Sequence, residues 1–223
     1  MKKKFVAIAV MVLMVSCFTL PASAHEFSPE RYFQLLVKNG SNSMPNINFT
    51  YNITKFTANT TFQARALESI NNWASAVAAI KPAVINEPNA STAKAIFSDN
   101  WPNTFDPTKP GVAVSAPLIT STIYTYKSGW GTPKTASSVQ MISQTAIYAN
   151  RVLLLNLGYS DNDLRHNYAH EIGHALGFTE ANDGTLSIMK QGRGSTFGWA
   201  DYWKPRTHDV SDMTTKYQLK LWS

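Results

Sequence analysis

The stretch His170-Glu171-Ile172-Gly173-His174-Ala175-Leu176-Gly177 constrains this chain most, because its polar groups serve a common purpose only on a helix that stops at the glycine. On a helix, residues four apart share a face, with Cβ atoms about 6 Å apart. His170 and His174 can then both reach one ion at Zn–N distances of about 2.0–2.1 Å. Glu171, beside the first histidine, can lean over the open coordination position and accept a proton from bound water, whose pKa zinc lowers to about 7. Gly177 stands where a helix-ending residue takes the left-handed conformation. The chain can turn back there, and Glu180, six residues after His174, is placed to return as a third ligand. Asp183, His208 and Asp209 compete for that role. The bland alternative is an amphipathic helix whose histidines are satisfied surface groups.

Periodicity supplies the frame. Ile47 to Ile53 alternates apolar and polar residues, the period of a half-buried strand. Phe62, Ala66, Ile70, Trp73 and Val77 recur at helical spacing after Thr60 or Thr61, either of which can cap the helix. Residues 86–131 are rich in Pro, Gly, Asn and Ser and read as loops with short strands over Val112–Val114 and Ile119–Tyr126. The apolar run Arg151-Val152-Leu153-Leu154-Leu155-Asn156 reads as a strand buried on both faces. Asp161 or Asp163 opens the next helix, where acidic groups suit the N-terminal dipole. With no clean βαβ repeat, the fold class is α+β.

The first 24 residues read as an export signal: Lys2 to Lys4, an apolar run from Phe5 to Leu20, then Ala22-Ser23-Ala24 as the small-x-small cleavage pattern. Cys17 is the only cysteine and lies in that leader, so a mature chain from His25 to Ser223 is expected to be one disulfide-free domain. Met14-Val15-Ser16-Cys17 imitates a lipoprotein site poorly, and no stable membrane anchor is expected. Three of the 20 basic residues and none of the 14 acidic ones fall in the leader, leaving a net charge of +3. Scattered charge of that size gives no support to a nucleic-acid partner. Asn48, Asn52, Asn59 and Asn89 begin Asn-x-Ser/Thr triplets, which read as polar surface in a bacterial chain.

With the pattern His-Glu-x-x-His-x-x-Gly-x-x-Glu followed by Ser187-Ile188-Met189, the sequence resembles a metzincin metallopeptidase of the matrixin-like, secreted bacterial type. The resemblance extends loosely to Phe49–Val77 as first strand and helix, Val152–Asn156 as the strand before the active-site helix, and Pro205–Tyr217 as the closing helix. It implies a twisted mixed sheet, an active-site helix and a small irregular C-terminal subdomain. It also implies zinc held by His170, His174 and Glu180, with Glu171 as general base and Met189 in a methionine turn beneath the metal. Glu180 departs from the family, which has His or Asp there, although two His and one Glu form an acceptable catalytic set. No Glu follows Glu180, which excludes the thermolysin-like arrangement.

The expected activity is hydrolysis of a protein or peptide substrate by a secreted monomer. The substrate would lie extended along a sheet edge near Ile119–Tyr126. The alternative is a non-catalytic secreted zinc-binding protein or toxin module, against which the intact Glu171 argues. Phe197, Trp199, Tyr202 and Trp203 would wall a specificity pocket, or simply pack. Glu26 or Glu30 could block the site before activation. The family's structural zinc is expected to be absent, since the chain has only His25, His166, His170, His174 and His208. Asp161, Asn162 and Asp163 offer hard oxygen ligands for calcium, with a capped helix start as the competing reading.

Overall fold

The computed structural model describes residues 25–27, 31–33, 35–36, 46–57, 60–85, 92–115, 118–120, 140–142, 144–181, 186–190 and 203–214. The leader, Asp183, Asn59, Asn89, Glu30, Phe197, Trp199, Tyr202 and Tyr217 lie outside them. The fold is α+β. Strand β4 (Asn46–Lys55) grows from the alternating segment, and Ile47 and Phe49 turn into the core. Helix α1 (Thr60–Ala76) follows, so both threonines expected to cap it fall inside the helix. Strand β5 (Ile80–Val84) then runs parallel to β4, making one βαβ unit that periodicity alone did not reveal.

Strand β6 (Ala95–Ser98) lies parallel to β4, and β10 (Thr145–Ala149) lies parallel to β6. Strand β7 (Gly111–Ser115) closes the edge antiparallel to β10. The result is a mixed sheet in the order β5-β4-β6-β10-β7, with the two-residue β3 (Leu35–Leu36) antiparallel to the start of β4. Two smaller sheets accompany it among the described residues. Strand β1 (His25–Phe27) pairs antiparallel with β11 (Phe178–Ala181), and β2 (Arg31–Phe33), β9 (Gln140–Ile142) and β8 (Leu118–Thr120) form a three-stranded sheet.

Helix α2 (Arg151–Asn156) occupies the run expected to be a buried strand. Asn150 starts it, its side chain accepting from the Leu153 N–H at 3.2 Å. Only Leu154 of the helix is buried, while Val152 is 70% exposed. The buried strand before the long helix is instead β10, just upstream. Helices α3 (Asp161–Ala175) and α4 (Thr207–Thr214) follow. The four apolar residues picked out within α1 and Val77 just past its end are buried, and Trp73 among them donates its Nε1–H to the Ala169 carbonyl of α3 at 2.8 Å. That bond fixes α1 against the helix that carries the histidines. Asn52 is fully buried and donates to the Ile85 carbonyl at 2.7 Å, so it is internal structure rather than polar surface. Among the described residues no helix is long and apolar enough to cross a membrane.

Candidate metal centre

Helix α3 begins with a reciprocal cap. Ser160 Oγ accepts from the Asp163 N–H at 3.3 Å, and Asp163 accepts from the Ser160 N–H at 2.8 Å. Ser160, not an aspartate, is therefore the cap residue. Asp161 pairs with Arg65 at 2.7 Å, and Asn162 accepts from Arg165. The three side chains considered for calcium are thus engaged as a capped helix start, the competing reading.

At the other end, Leu176 caps α3 and Gly177 follows with φ 95°, a conformation only glycine adopts without strain. The turn sends the chain into β11, which carries Glu180 back past the helix. Among the described residues, His170, His174 and Glu180 are the one group of three His, Cys, Asp or Glu side chains whose ligand atoms lie within 4.8 Å of one another. The two histidine Nε2 atoms stand 3.0 Å apart. Glu180 Oε1 lies 3.3 Å from His174 Nε2 and 3.6 Å from His170 Nε2.

Each ring is turned by its other nitrogen. His170 Nδ1 meets the Ile188 carbonyl at 3.0 Å, and His174 Nδ1 meets the Phe178 carbonyl at 2.9 Å. A carbonyl only accepts, so each Nδ1 carries a proton, and each Nε2 is the nitrogen left to face the cluster. Deprotonated, two such nitrogens and a carboxylate oxygen converging on one point repel unless a cation, a proton or a metal ion, sits between them. Ligands about 2.0–2.2 Å from a tetrahedral ion stand about 3.3–3.6 Å from one another. The two Glu180 separations fall in that range and the 3.0 Å between the Nε2 atoms is a little shorter, while the buried Glu180 Oε2 has no hydrogen-bond partner among the described residues.

The electrostatics agree with that fit. Burial opposes charging His170, yet the Glu180 carboxylate, with help from Glu171 and the Ile188 carbonyl, outweighs it and brings the ring up to about 9. Burial also opposes the charge on Glu180, but its hydrogen bonds to His170 and His174 win and bring the carboxyl down to about 2. The cluster is built to hold positive charge.

Glu171 is 5% exposed, and burial raises its pKa. The Ala113 N–H of β7 bonds to its carboxylate. A strand beside Glu171 is therefore β7. Ile119 and Thr120 belong to β8 in the three-stranded sheet, and residues 121–126 lie outside the described residues.

Beneath the cluster, Met189 is fully buried and its sulfur occupies the space where a Cβ on Gly173 would stand. The Met189 carbonyl accepts from the Ala181 N–H at 2.9 Å, tying this turn to β11. Asp209 anchors the turn from α4. Its carboxylate accepts from Ser187 Oγ at 2.6 Å, the Ile188 N–H at 3.2 Å and the Arg206 N–H at 2.7 Å. Asp209, considered as a third ligand, is thus committed to the methionine turn, and His208 pairs with Asp212 at 3.3 Å on α4. Trp203 receives the Arg165 guanidinium at 5.2 Å and the Lys204 ammonium at 4.3 Å on its ring. Sequence reasoning missed Asp209 as a brace, and it missed Gly111, Ala113 and Asn167 beside Glu171.

Because the Ile188 carbonyl orients His170, loosening Asp209 should loosen the cluster. Asp209→Asn puts an amide donor among three donors, and we expect a loss of about 2 kcal/mol in urea unfolding. Metal affinity should drop about 10- to 100-fold, as for other partners outside the ligand shell. A variant equal to wild type in both would show that the brace has no such role.

No protein-family description and no curated protein matches the chain. Among solved structures it is similar to myroilysin, at 14% identity and TM-score 0.33, covering 78% of this chain and 72% of that one. A likeness that slight carries no argument. The mixed sheet and the His170–His174–Glu180 cluster fit a metzincin-like fold on their own terms.

Proposed function

We propose that this chain is a secreted, zinc-dependent endopeptidase of metzincin-like fold, a monomer whose domain runs from His25 to Ser223 after removal of residues 1–24. The observation that carries the reading is the convergence of His170 Nε2, His174 Nε2 and Glu180 Oε1 beside a buried glutamate. His170, His174 and Glu180 would hold the zinc, with Met189 as the floor beneath them. The chemistry that zinc supplies in such a site is Lewis-acid polarisation of a carbonyl and acidification of a water molecule.

The remaining work belongs to side chains and backbone. Glu171 takes the proton of the attacking water on its carboxylate and passes it to the nitrogen of the leaving amine. Burial keeps bulk water from that carboxylate and raises its proton affinity toward the working range. Among the described residues β7 has no strand on its outer side, and that edge offers backbone groups to which an extended peptide could add as a strand. That places the scissile bond within reach of Glu171.

The test is zinc content and peptide cleavage on the purified chain, before and after chelation. We expect about one zinc per chain, loss of cleavage on chelation and its return with added zinc. A wild-type chain that takes up no zinc, or that cleaves equally well after full chelation, would end this reading.

A further inference from the structure

Strand β7 crosses α3 so closely that residue 111 has no room for a side chain. A Cβ at Gly111 would stand 2.8 Å from Asn167 Nδ2, 3.0 Å from Asn167 Oδ1 and 2.9 Å from Glu171 Oε1. Asn167 and Glu171 are four residues apart on α3, so their side chains share one face. The carboxamide and the carboxylate therefore meet in the same small volume beneath the glycine.

Asn167 is 3% exposed, and its buried Nδ2 has no hydrogen-bond partner among the described residues. An amide nitrogen buried without an acceptor is costly, and leucine would fill the same space without that cost. One helical turn on along the shared face stands the Glu171 carboxylate, which when ionised only accepts and has several lone pairs to offer. Its one bond to the backbone, from Ala113 N–H, leaves rotation about the last side-chain bond weakly determined.

We propose that Asn167 is a positioning residue for Glu171. The structure leaves the Nδ2–H unbonded among the described residues; a rotation of the carboxamide would bring it onto the carboxylate, where together with the Ala113 N–H it would fix the plane of that group. A free lone pair then faces the attacking water. Gly111 is the enabling residue, because any side chain there would push the amide and the carboxylate apart. The catalytic consequence rests on the endopeptidase reading, whereas the hydrogen bond itself does not.

Two measurements on the zinc-loaded full chain test this. A crystal structure of the wild type should place Asn167 Nδ2 within about 3.2 Å of a Glu171 oxygen. A separation beyond about 3.5 Å would overturn the proposal. In Asn167→Leu, kcat should fall about 10- to 100-fold, with KM within about twofold and with zinc content and melting temperature no lower than wild type. Unchanged kcat, or a fall that tracks lost zinc or lost stability, would also overturn it. If the bond is present but the wild type cleaves no peptide, the positioning role stands and the endopeptidase reading fails.

Discussion

Changing Glu171 to Gln is expected to cut peptide hydrolysis by about 10²- to 10⁴-fold, the usual worth of a general base, while zinc and fold survive. The two side chains have the same shape, and the Ala113 N–H can still bond to the Gln carbonyl oxygen. What is lost is the ability to take and return a proton. Stability should not suffer. Burial raises the Glu171 pKa, so ionising the group in the folded chain costs folding energy as pH rises past its unfolded value. An uncharged Gln avoids that cost at neutral pH. The measurement is kcat/KM on a fluorogenic peptide, beside zinc content and melting temperature. A Gln variant within about tenfold of wild type would show that some other group moves the proton. The result also separates two functional readings, since a zinc-holding protein that only binds a partner should keep that partner in the Gln variant.

Helix α3 was legible in the sequence because its local signals agree: acidic residues in the first turn, two histidines four apart, and a glycine after the last turn. The same is true of α1, whose apolar positions all reach the core. The run from Arg151 to Asn156 was misread for a physical reason. A short apolar stretch has too few residues to separate a helix from a buried strand. Asn150, a good N-cap, decided it for the helix, and Val152 and Leu155 end up exposed. Strand β6 was missed because Ala95-Ile96-Phe97-Ser98 sits in a loop-like composition and owes its place to pairing with β4 and β10 on either side.

Around the metal cluster the division is similar. His170, Glu171, His174 and Glu180 lie within one helix and its return strand, so spacing alone could suggest that they meet. The Asp209 bonds to the Ser187–Ile188 turn join residues more than twenty positions apart. The contact of Gly111 with Asn167 and Glu171 spans more than fifty. Which strand becomes the edge beside Glu171 depends on the order of the sheet, and no local pattern encodes that order. For this reason sequence patterning could not single out β7 as the strand beside Glu171.

Removing Glu180, the proposed third ligand, should damage metal binding strongly. Glu180→Ala is expected to weaken zinc by more than about 100-fold, beyond the range for partners outside the ligand shell. The loss should be accompanied by a change in proton traffic. In the metal-free wild type, Glu180 helps hold His170 up to about 9, so at pH 7.5 the ring is largely protonated. Zinc must displace that proton, and uptake should release about one proton per chain at pH 7.5, declining as pH rises through 9. Without the Glu180 carboxylate, burial counts for more and the His170 pKa falls. The variant should then release fewer protons as well as bind less tightly. Calorimetric titration with zinc in two buffers of different ionisation enthalpy reads both quantities at once. Wild-type affinity and proton release in the variant would remove Glu180 from the ligand set. His208 and Asp209 are committed to Asp212 and to the methionine turn, so Asp183 would then be the ligand to test.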